Sequence, residues 1–243
     1  MATLANKTIL IIGGSSGIGF GVAEASLKSF AKTVIIASSN KERVEKAVKK
    51  LIDAKLGAGE ITGRVVDAGN EESIKGLLDD VGEVDHIVFT SGRLETSLAF
   101  PGVDINKAKD SLDLRLWGVV AVAKHAKIRS GGSLTLTSGI LAIKPTPTLS
   151  VAITGVGALH TLTSGLAVDL APIRVNIICS GALWDDLPPS YKESFLKDTA
   201  PKLLVGHFGQ PDELAEAYLF CMKCTYITGQ CIVVDGGQLL SSR

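Results

Sequence analysis

The sequence predicts an α/β fold, a doubly wound parallel sheet of seven strands with helices on both faces. Short runs rich in β-branched residues recur along the chain, and each of the first six leads into a longer stretch of helical periodicity. These runs are apolar at nearly every position, which is typical of parallel strands buried on both faces. Residues 1–243 contain no break in composition, no block of like charge and no internal repeat, so we expect a single domain.

The predicted strands are KTILIIG (7–13), KTVIIAS (32–38), ITGRVVD (61–67), DHIVFTS (85–91), GSLTLTS (132–138), IRVNIIC (173–179) and QCIVVDG (230–236). The first helix follows the first strand directly. The second and third are predicted in NKERVEKAVKKLIDA and EESIKGLLDDV, where apolar residues recur at helical spacing.

Composition excludes several classes of protein. The 25 basic and 25 acidic residues balance, so the chain lacks the basic excess that nucleic acid or an anionic membrane would require. No run reaches the roughly 18 uninterrupted apolar residues of a membrane span. The first residues, MATLANK, do not resemble a secretory signal. We therefore expect a cytoplasmic protein.

A glycine-rich turn joins the first strand to the first helix in IIGGSSGIGFGVAEASL. Glycine there permits a tight turn, close approach of the backbone to a pyrophosphate, and close packing of the helix. The helix N-terminus offers free N–H groups to phosphate, and serine hydroxyls add donors. The turn predicts a dinucleotide site formed by Gly13, Ser15, Ser16, Gly17, Ile18 and Gly19.

The end of the second strand indicates which dinucleotide binds. An acidic residue that would hold a ribose 2′-hydroxyl is expected roughly 20 residues beyond the glycines. The chain instead has Ser38, Ser39 and Asn40 there, followed by Lys41 and Arg43, which favours NADP(H) over NAD(H). Alternatively, the segment from Asn40 is an N-cap and the first turn of a helix.

Taken together, these motifs resemble the short-chain dehydrogenase/reductase family over essentially the whole chain. The matching segments are GGSSGIG, VVDAGN, VDHIVFTSG, IRVNIICSGAL and FGQPDELAEAYLF…YITGQCIVVDGG, with Ile12 and Ser180 in place of the usual Thr and Pro. The resemblance implies a Rossmann-type fold and a nicotinamide cofactor. It also implies further cofactor contacts at Asp67, which would face the adenine amino group, and at Ala68, Ser91, Gly92, Gly181 and Leu183.

The catalytic residues depart from that family. Its redox chemistry uses an Asn, a Ser, a Tyr and a Lys, of which only the Ser is kept, as Ser138. Arg115 stands at the Asn position, Val151 at the Tyr position and Gly155 at the Lys position. The lost Tyr is the general acid, and such groups typically contribute about 10²–10⁴-fold to rate. Since the cofactor itself carries the hydride, the sequence predicts an oxidoreductase for an already activated C=N or C=O group.

Two arginines are candidates to replace the lost polar groups. Arg115 could bind a carboxylate or stabilise an oxyanion, but a guanidinium does not give up a proton. The alternative is a surface arginine on a long helix. Arg93, just after TSG, is a weaker candidate for the same role.

The segment from about residue 184 to 206 matches a substrate lid in the family. Tyr191 could enter the site as proton donor, or pack on the substrate as an exposed aromatic side chain. Asp185 would be an acid or a helix cap, and Trp184 could wall the pocket.

Cysteines and histidines give no recognisable metal spacing. Cys221 and Cys224 form a C-x-x-C on a helical run, which we interpret as core packing rather than a zinc or disulfide site. Only Cys179, Cys231 and a histidine could complete such a site. We expect no catalytic role for any of the histidines His86, His125, His160 and His207.

Two other readings stay open beside an oxidoreductase. The chain could keep the nucleotide as a structural or sensing element, or it could use Arg115 to orient a non-redox cyclisation or elimination. From the resemblance we expect a homodimer or homotetramer that pairs through helices at roughly 108–129 and 149–170.

Overall fold

The computed structural model describes residues 3–92, 96–181 and 200–241. These residues form one parallel sheet of seven strands, as the sequence predicts, and the strand order is β3-β2-β1-β4-β5-β6-β7. The strands are β1 (Thr8–Ile12), β2 (Thr33–Ser38), β3 (Glu60–Val65), β4 (Glu83–Phe89), β5 (Lys127–Gly139), β6 (Arg174–Ser180) and β7 (Cys231–Val234).

The helices alternate with these strands. They are α1 (Gly17–Lys28), α2 (Lys41–Asp53), α3 (Glu71–Val81), α4 (Ile105–Leu112), α5 (Gly118–His125), α6 (Thr154–Asp169) and α7 (Pro211–Lys223). A π-helical turn, Asp113–Trp117, joins α4 to α5. Side-chain caps fix several starts: Asn70 Oδ1, for example, accepts the Ser73 N–H at 2.9 Å before α3.

Alternation within β1 explains why the strands are apolar throughout. Ile9 and Ile11 belong to a core cluster with residues of α1, α2 and α7. Leu10 and Ile12 belong to a second cluster with residues of α3, α5 and α6. Successive side chains of a strand point to opposite faces, so a sheet covered by helices on both faces needs apolar residues at every position.

The bounds of two helices differ from the prediction. The helix predicted at 108–129 ends at His125, and β5 begins at Lys127. Arg129 belongs to that strand, where its guanidinium is held by Glu83 and Asp85, each at 2.9 Å. The helix predicted at 149–170 begins at Thr154, after a turn closed by the Thr154 N–H on the Val151 carbonyl at 3.1 Å.

A buried carboxylate, Asp85, lies at the amino-terminal ends of the strands. Asp85 accepts the Thr8 backbone N–H at 2.8 Å and is paired with Lys7 at 3.0 Å as well as with Arg129. Burial raises the pKa of Asp85, but the Thr8 hydrogen bond and the two cations outweigh it, so the pKa lies below its ordinary value. This edge serves stability, because the chemistry of such folds lies at the opposite edge.

No helix within residues 3–92, 96–181 and 200–241 is long and apolar enough to cross a membrane.

Candidate active site

The strand order places the candidate site. β1 lies between β2 and β4. The chain that leaves β1 therefore continues toward β2, and the chain that leaves β4 continues in the opposite direction, toward β5. This leaves a crevice between the carboxyl ends of β1 and β4. Ligands of doubly wound sheets bind in the crevice at this point. The glycine turn, the TSG segment and Ser138 all lie at this edge.

The glycine turn has the geometry predicted for phosphate binding. Gly13 adopts a φ of +97° and donates its N–H to the Ala37 carbonyl at 2.8 Å, while Gly17 has a φ of +51°. A Cβ at Gly19 would overlap the Gly13 carbonyl and the Thr90 hydroxyl. Glycine is therefore required for both the turn and the close approach of α1 to β4.

The start of α1 is open to an anion. Ser16 is its N-cap in extended conformation, its hydroxyl makes no capping bond, and the first turn carries no acid. Ser15 is half-buried and Ile18 packs against the core cluster of α1. An N-terminus with these properties favours phosphate through its N–H groups and its dipole.

After β2, the Asn40 side chain is an N-cap of α2, which is the alternative considered from the sequence. Asn40 Oδ1 accepts the Arg43 N–H at 2.9 Å and caps α2. Ser38 is half-buried, whereas Ser39 and the Arg43 side chain are exposed. Hydroxyls and a cation thus lie where an acid would exclude a 2′-phosphate.

Other predicted cofactor residues line the same edge. Asp67 is exposed and its Oδ1 accepts the Gly69 N–H at 3.0 Å, whereas Ala68 is buried. Gly92 has a φ of +111° in the loop after β4, preceded by the half-buried Ser91. Gly181 follows β6 and donates its N–H to the Val234 carbonyl at 2.9 Å.

Arg115 lies in the π-helical turn and extends between two glycines. A Cβ built at Gly155 would lie 3.2 Å from Arg115 Cβ and 3.4 Å from its Cδ. One built at Gly92 would lie 3.3 Å from Arg115 Cγ and Cζ. Arg115 is half-buried, and its side chain lies against these two glycines. Because Gly155 has no side chain, Arg115 can pass close to α6 on its way to Gly92.

Ser138 is buried at the end of β5 and contacts α6. Its Oγ donates to the Val156 carbonyl at 3.1 Å and lies 2.8 Å from His160 Nε2. Burial lowers the pKa of His160, which favours the neutral imidazole. The sequence gives His160 no catalytic role, and the structure places its ring beside Ser138. The available signal was helical spacing, because Val156 and His160 are four residues apart and share a face of α6.

The described tyrosines do not replace the missing phenol. Tyr218 is buried, and its hydroxyl lies 2.7 Å from Thr137 Oγ1 on the face of β5 opposite Ser138. Tyr226 is fully exposed beyond α7. Five residues considered above lie outside the described residues: Arg93, Leu183, Trp184, Asp185 and Tyr191, as does most of the predicted lid.

The remaining cysteines and histidines have mostly structural surroundings. Cys221 is buried in the core and Cys224 is half-buried, both as free thiols. His125 and His207 pair with surface glutamates, each at 2.8 Å. His86 is buried with Nδ1 2.9 Å from Ser133 Oγ, away from the candidate site.

Comparison with known proteins gives one consistent family. A family model described as an SDR-like Rossmann domain matches residues 1–241. The short-chain dehydrogenase/reductase ATR9 of Stachybotrys chlorohalonatus is 37% identical, with 99% of this chain and 100% of the relative aligned.

Two solved structures have a similar fold. The MalC reductase/Diels-Alderase of Malbranchea aurantiaca is 31% identical, with a TM-score of 0.88 over 98% of each chain. A short-chain type dehydrogenase/reductase of Mycobacterium ulcerans is 28% identical, with a TM-score of 0.89 over 98% of this chain and 92% of that one.

Proposed function

The chain belongs to the short-chain dehydrogenase/reductase family, and from this premise we propose that it is an NADP(H)-dependent oxidoreductase with a rebuilt active site. The observation that carries the proposal is the path of Arg115 past Gly155 to Gly92. This path puts the Arg115 cation beside the TSG loop. It passes Gly155, which the resemblance aligns with the lysine of the family. The enzyme would reduce a small molecule whose C=N or C=O group is already activated.

Three features support NADP(H) as the cofactor. The glycine turn leaves no room for a Cβ at Gly13 or Gly19, and α1 begins without a side-chain cap or an acid. The residues at the end of β2, Ser38, Ser39 and Asn40, include no carboxylate, and the two serines and Arg43 are available to a 2′-phosphate. A relative 27% identical to this chain is named NADPH-dependent aldehyde reductase 1. When bound, the reduced nicotinamide supplies the hydride.

The residues of this chain would divide the remaining work. Arg115 carries a permanent charge, and it would orient a substrate carboxylate or stabilise negative charge that develops on oxygen. Ser138 would turn its proton from the Val156 carbonyl to the substrate heteroatom. Neither group is an acid strong enough to protonate an alkoxide unaided. An activated substrate, or a donor such as Tyr191, is therefore needed to complete the reaction.

Isotope transfer tests the proposal. NADPH deuterated stereospecifically at nicotinamide C4 is incubated with enones, cyclic imines and simple ketones, and the products are analysed by mass spectrometry. We expect deuterium in the enone or imine products. Arg115→Ala should reduce that rate by roughly 100-fold, the scale of one lost electrostatic donor. Arg64→Ala, which removes a surface partner of Asp80, should leave it unchanged. The absence of deuterium from every product at high enzyme concentration would overturn the proposal.

A second candidate is a cyclisation that does not consume the cofactor. It is favoured by the solved relative whose name couples a reductase to a Diels-Alderase. In that case Arg115 would polarise a carbonyl of a bound diene or dienophile. Product that forms without deuterium, at a rate independent of the oxidation state of the cofactor, would select this candidate.

We further propose a cytoplasmic homodimer or homotetramer. Its support is the set of exposed apolar side chains on the helices through which relatives are expected to pair. Ile105 is 69% exposed before the π-helical turn, Trp117 is 57% exposed within it, and Val168 is 76% exposed on α6. Light scattering of the purified chain measures the assembly, and Trp117→Lys should shift it toward monomer.

A further inference from the structure

Three potential metal ligands converge behind Ser138. His160 of α6, Cys179 of β6 and Cys231 of β7 each offer one ligand atom, and these atoms all lie within 4.8 Å of one another. The Ser138 hydroxyl borders the group, because its Oγ is 2.8 Å from His160 Nε2. We call these three residues the His–Cys–Cys cluster.

Sheet register brings the two thiols together. Cys179 pairs with Ser138 on one side and with Val233 on the other, so all three side chains share a face. Cys231 precedes Val233 by two residues and points to the same face. His160 approaches that face from α6, which packs against β5 and β6. A parallel sheet is rigid, so the two thiols are held in place before any ligand binds.

The spacing suits a shared ion better than a disulfide. Neighbouring strands lie about 4.8 Å apart and rise about 3.3 Å per residue, which puts the Cα atoms of this diagonal pair about 8 Å apart. A disulfide usually requires about 4.4–6.8 Å. Two thiolates on one zinc ion, each at about 2.3 Å, have sulfurs about 3.8 Å apart. The observed separation of at most 4.8 Å reaches that value with a small side-chain rotation.

We propose that the His–Cys–Cys cluster binds a zinc ion, with a water molecule as fourth ligand. One nitrogen and two sulfurs are donors that zinc prefers, and three protein ligands with an open position are typical of non-structural zinc sites. Cys231 is exposed and gives the ion a route of entry, whereas Cys179 is fully buried. Binding forms two zinc–sulfur bonds and one zinc–nitrogen bond and releases both thiol protons to water, so no oxidant is needed.

Metal analysis tests this inference independently of catalysis. Tag-free protein, reduced and equilibrated with zinc sulfate, is dialysed and its zinc measured by mass spectrometry. Wild type should retain about one zinc per chain. Cys231→Ser should lower the zinc affinity, measured by competition with a chromophoric chelator, by more than about tenfold. Cys224→Ser is the matched control, because this half-buried thiol lies outside the cluster.

Cobalt substitution identifies the ligands. Wild type and Cys224→Ser should show thiolate-to-cobalt charge-transfer absorption, and Cys231→Ser should lose most of it. The proposal is wrong if zinc is substoichiometric, if Cys231→Ser and Cys224→Ser bind zinc equally, or if peptide mapping finds a disulfide between Cys179 and Cys231. Because Cys231 is exposed on the edge strand, its serine variant tests the site even if a His160 variant fails to fold.

Discussion

Arg115 and Gly155 form a pair whose energetics can be worked out from the structure. Adding a methyl group in the first turn of α6 normally stabilises a helix, because glycine costs about 1 kcal/mol relative to alanine. At Gly155 that methyl group would lie 3.2 Å from Arg115 Cβ, which is tighter than ordinary packing, and 3.5 Å from Leu112 Cδ2, which is an ordinary contact. Overpacking of this kind costs about 1–3 kcal/mol. Gly155→Ala should therefore be neutral or destabilise by up to about 2 kcal/mol.

Gly157 provides the matched control on the same helix. A Cβ at Gly157 meets nothing within 4 Å, so Gly157→Ala should stabilise the protein by up to about 1 kcal/mol. Both variants are measured by urea unfolding, alone and combined with Arg115→Gly, because an alanine at position 115 would keep the Cβ that makes the 3.2 Å contact. Removing the arginine side chain should recover about 1 kcal/mol or more in Gly155→Ala and nothing in Gly157→Ala. Equal effects of the two alanine variants, or no coupling between positions 115 and 155, would refute the reasoning.

The contact between Arg115 and Gly155 also bears on adding the Tyr and Lys that the family resemblance implies at positions 151 and 155. Val151→Tyr with Gly155→Lys returns the phenol and the ammonium, but the new lysine must enter space that Arg115 occupies. We expect ketone reduction only when Arg115→Asn is added, and we expect little in the double variant. The assay is oxidation of NADPH by simple ketones. A double variant as active as the triple would show that Arg115 does not block the site.

Three further predictions concern stability and cofactor binding. Burial, then the charge of Arg174, lower the pKa of His86 to about 4, against 6.5 in the unfolded chain. As pH falls from 6.5 to 4, the unfolded chain binds a proton at His86 that the folded chain does not. The free energy of unfolding therefore falls by about 3 kcal/mol over this range. His86→Leu should make the free energy of unfolding less dependent on pH between 6.5 and 4. Asp85→Asn should cost about 2–3 kcal/mol in urea unfolding, whereas Asp79→Asn, on an exposed pair, should cost less than about 1 kcal/mol. Gly19→Ala should weaken NADPH binding, measured by calorimetry, by at least about tenfold, because α1 must move away from the turn. Unchanged affinity would contradict the proposed phosphate site at the glycine turn.

The fold could be predicted from the sequence because its signals are local and repeated. The apolar runs gave every strand, and the helical period placed α3 at the residues where it is found. Helix ends were harder to predict where a tertiary contact decides them. The clearest case is Arg129, which Glu83 and Asp85 hold in β5.

In the site, only residues that belong to a recognisable sequence motif could be predicted. The glycine turn can be read directly in the sequence, and the family resemblance draws attention to Arg115, Val151 and Gly155. The contact of His160 with Ser138 depends on how α6 is rotated against β5, and no local pattern fixes that angle. The meeting of Cys179 and Cys231 depends on the register of β6 on β7, across a separation of 52 positions in the printed sequence.

A fixed cation in the site also ranks the activated substrates. An iminium ion bound within about 4 Å of the Arg115 guanidinium would meet like-charge repulsion of about 4 kcal/mol at an effective dielectric constant near 20. A neutral enone avoids this repulsion, and the negative charge that develops on its oxygen is stabilised by the same cation. In the deuterium assay we therefore expect neutral enones to react faster than preformed iminium salts with wild type, and Arg115→Ala to narrow that difference. If iminium salts are the better substrates of wild type, the guanidinium does not face the reacting atoms.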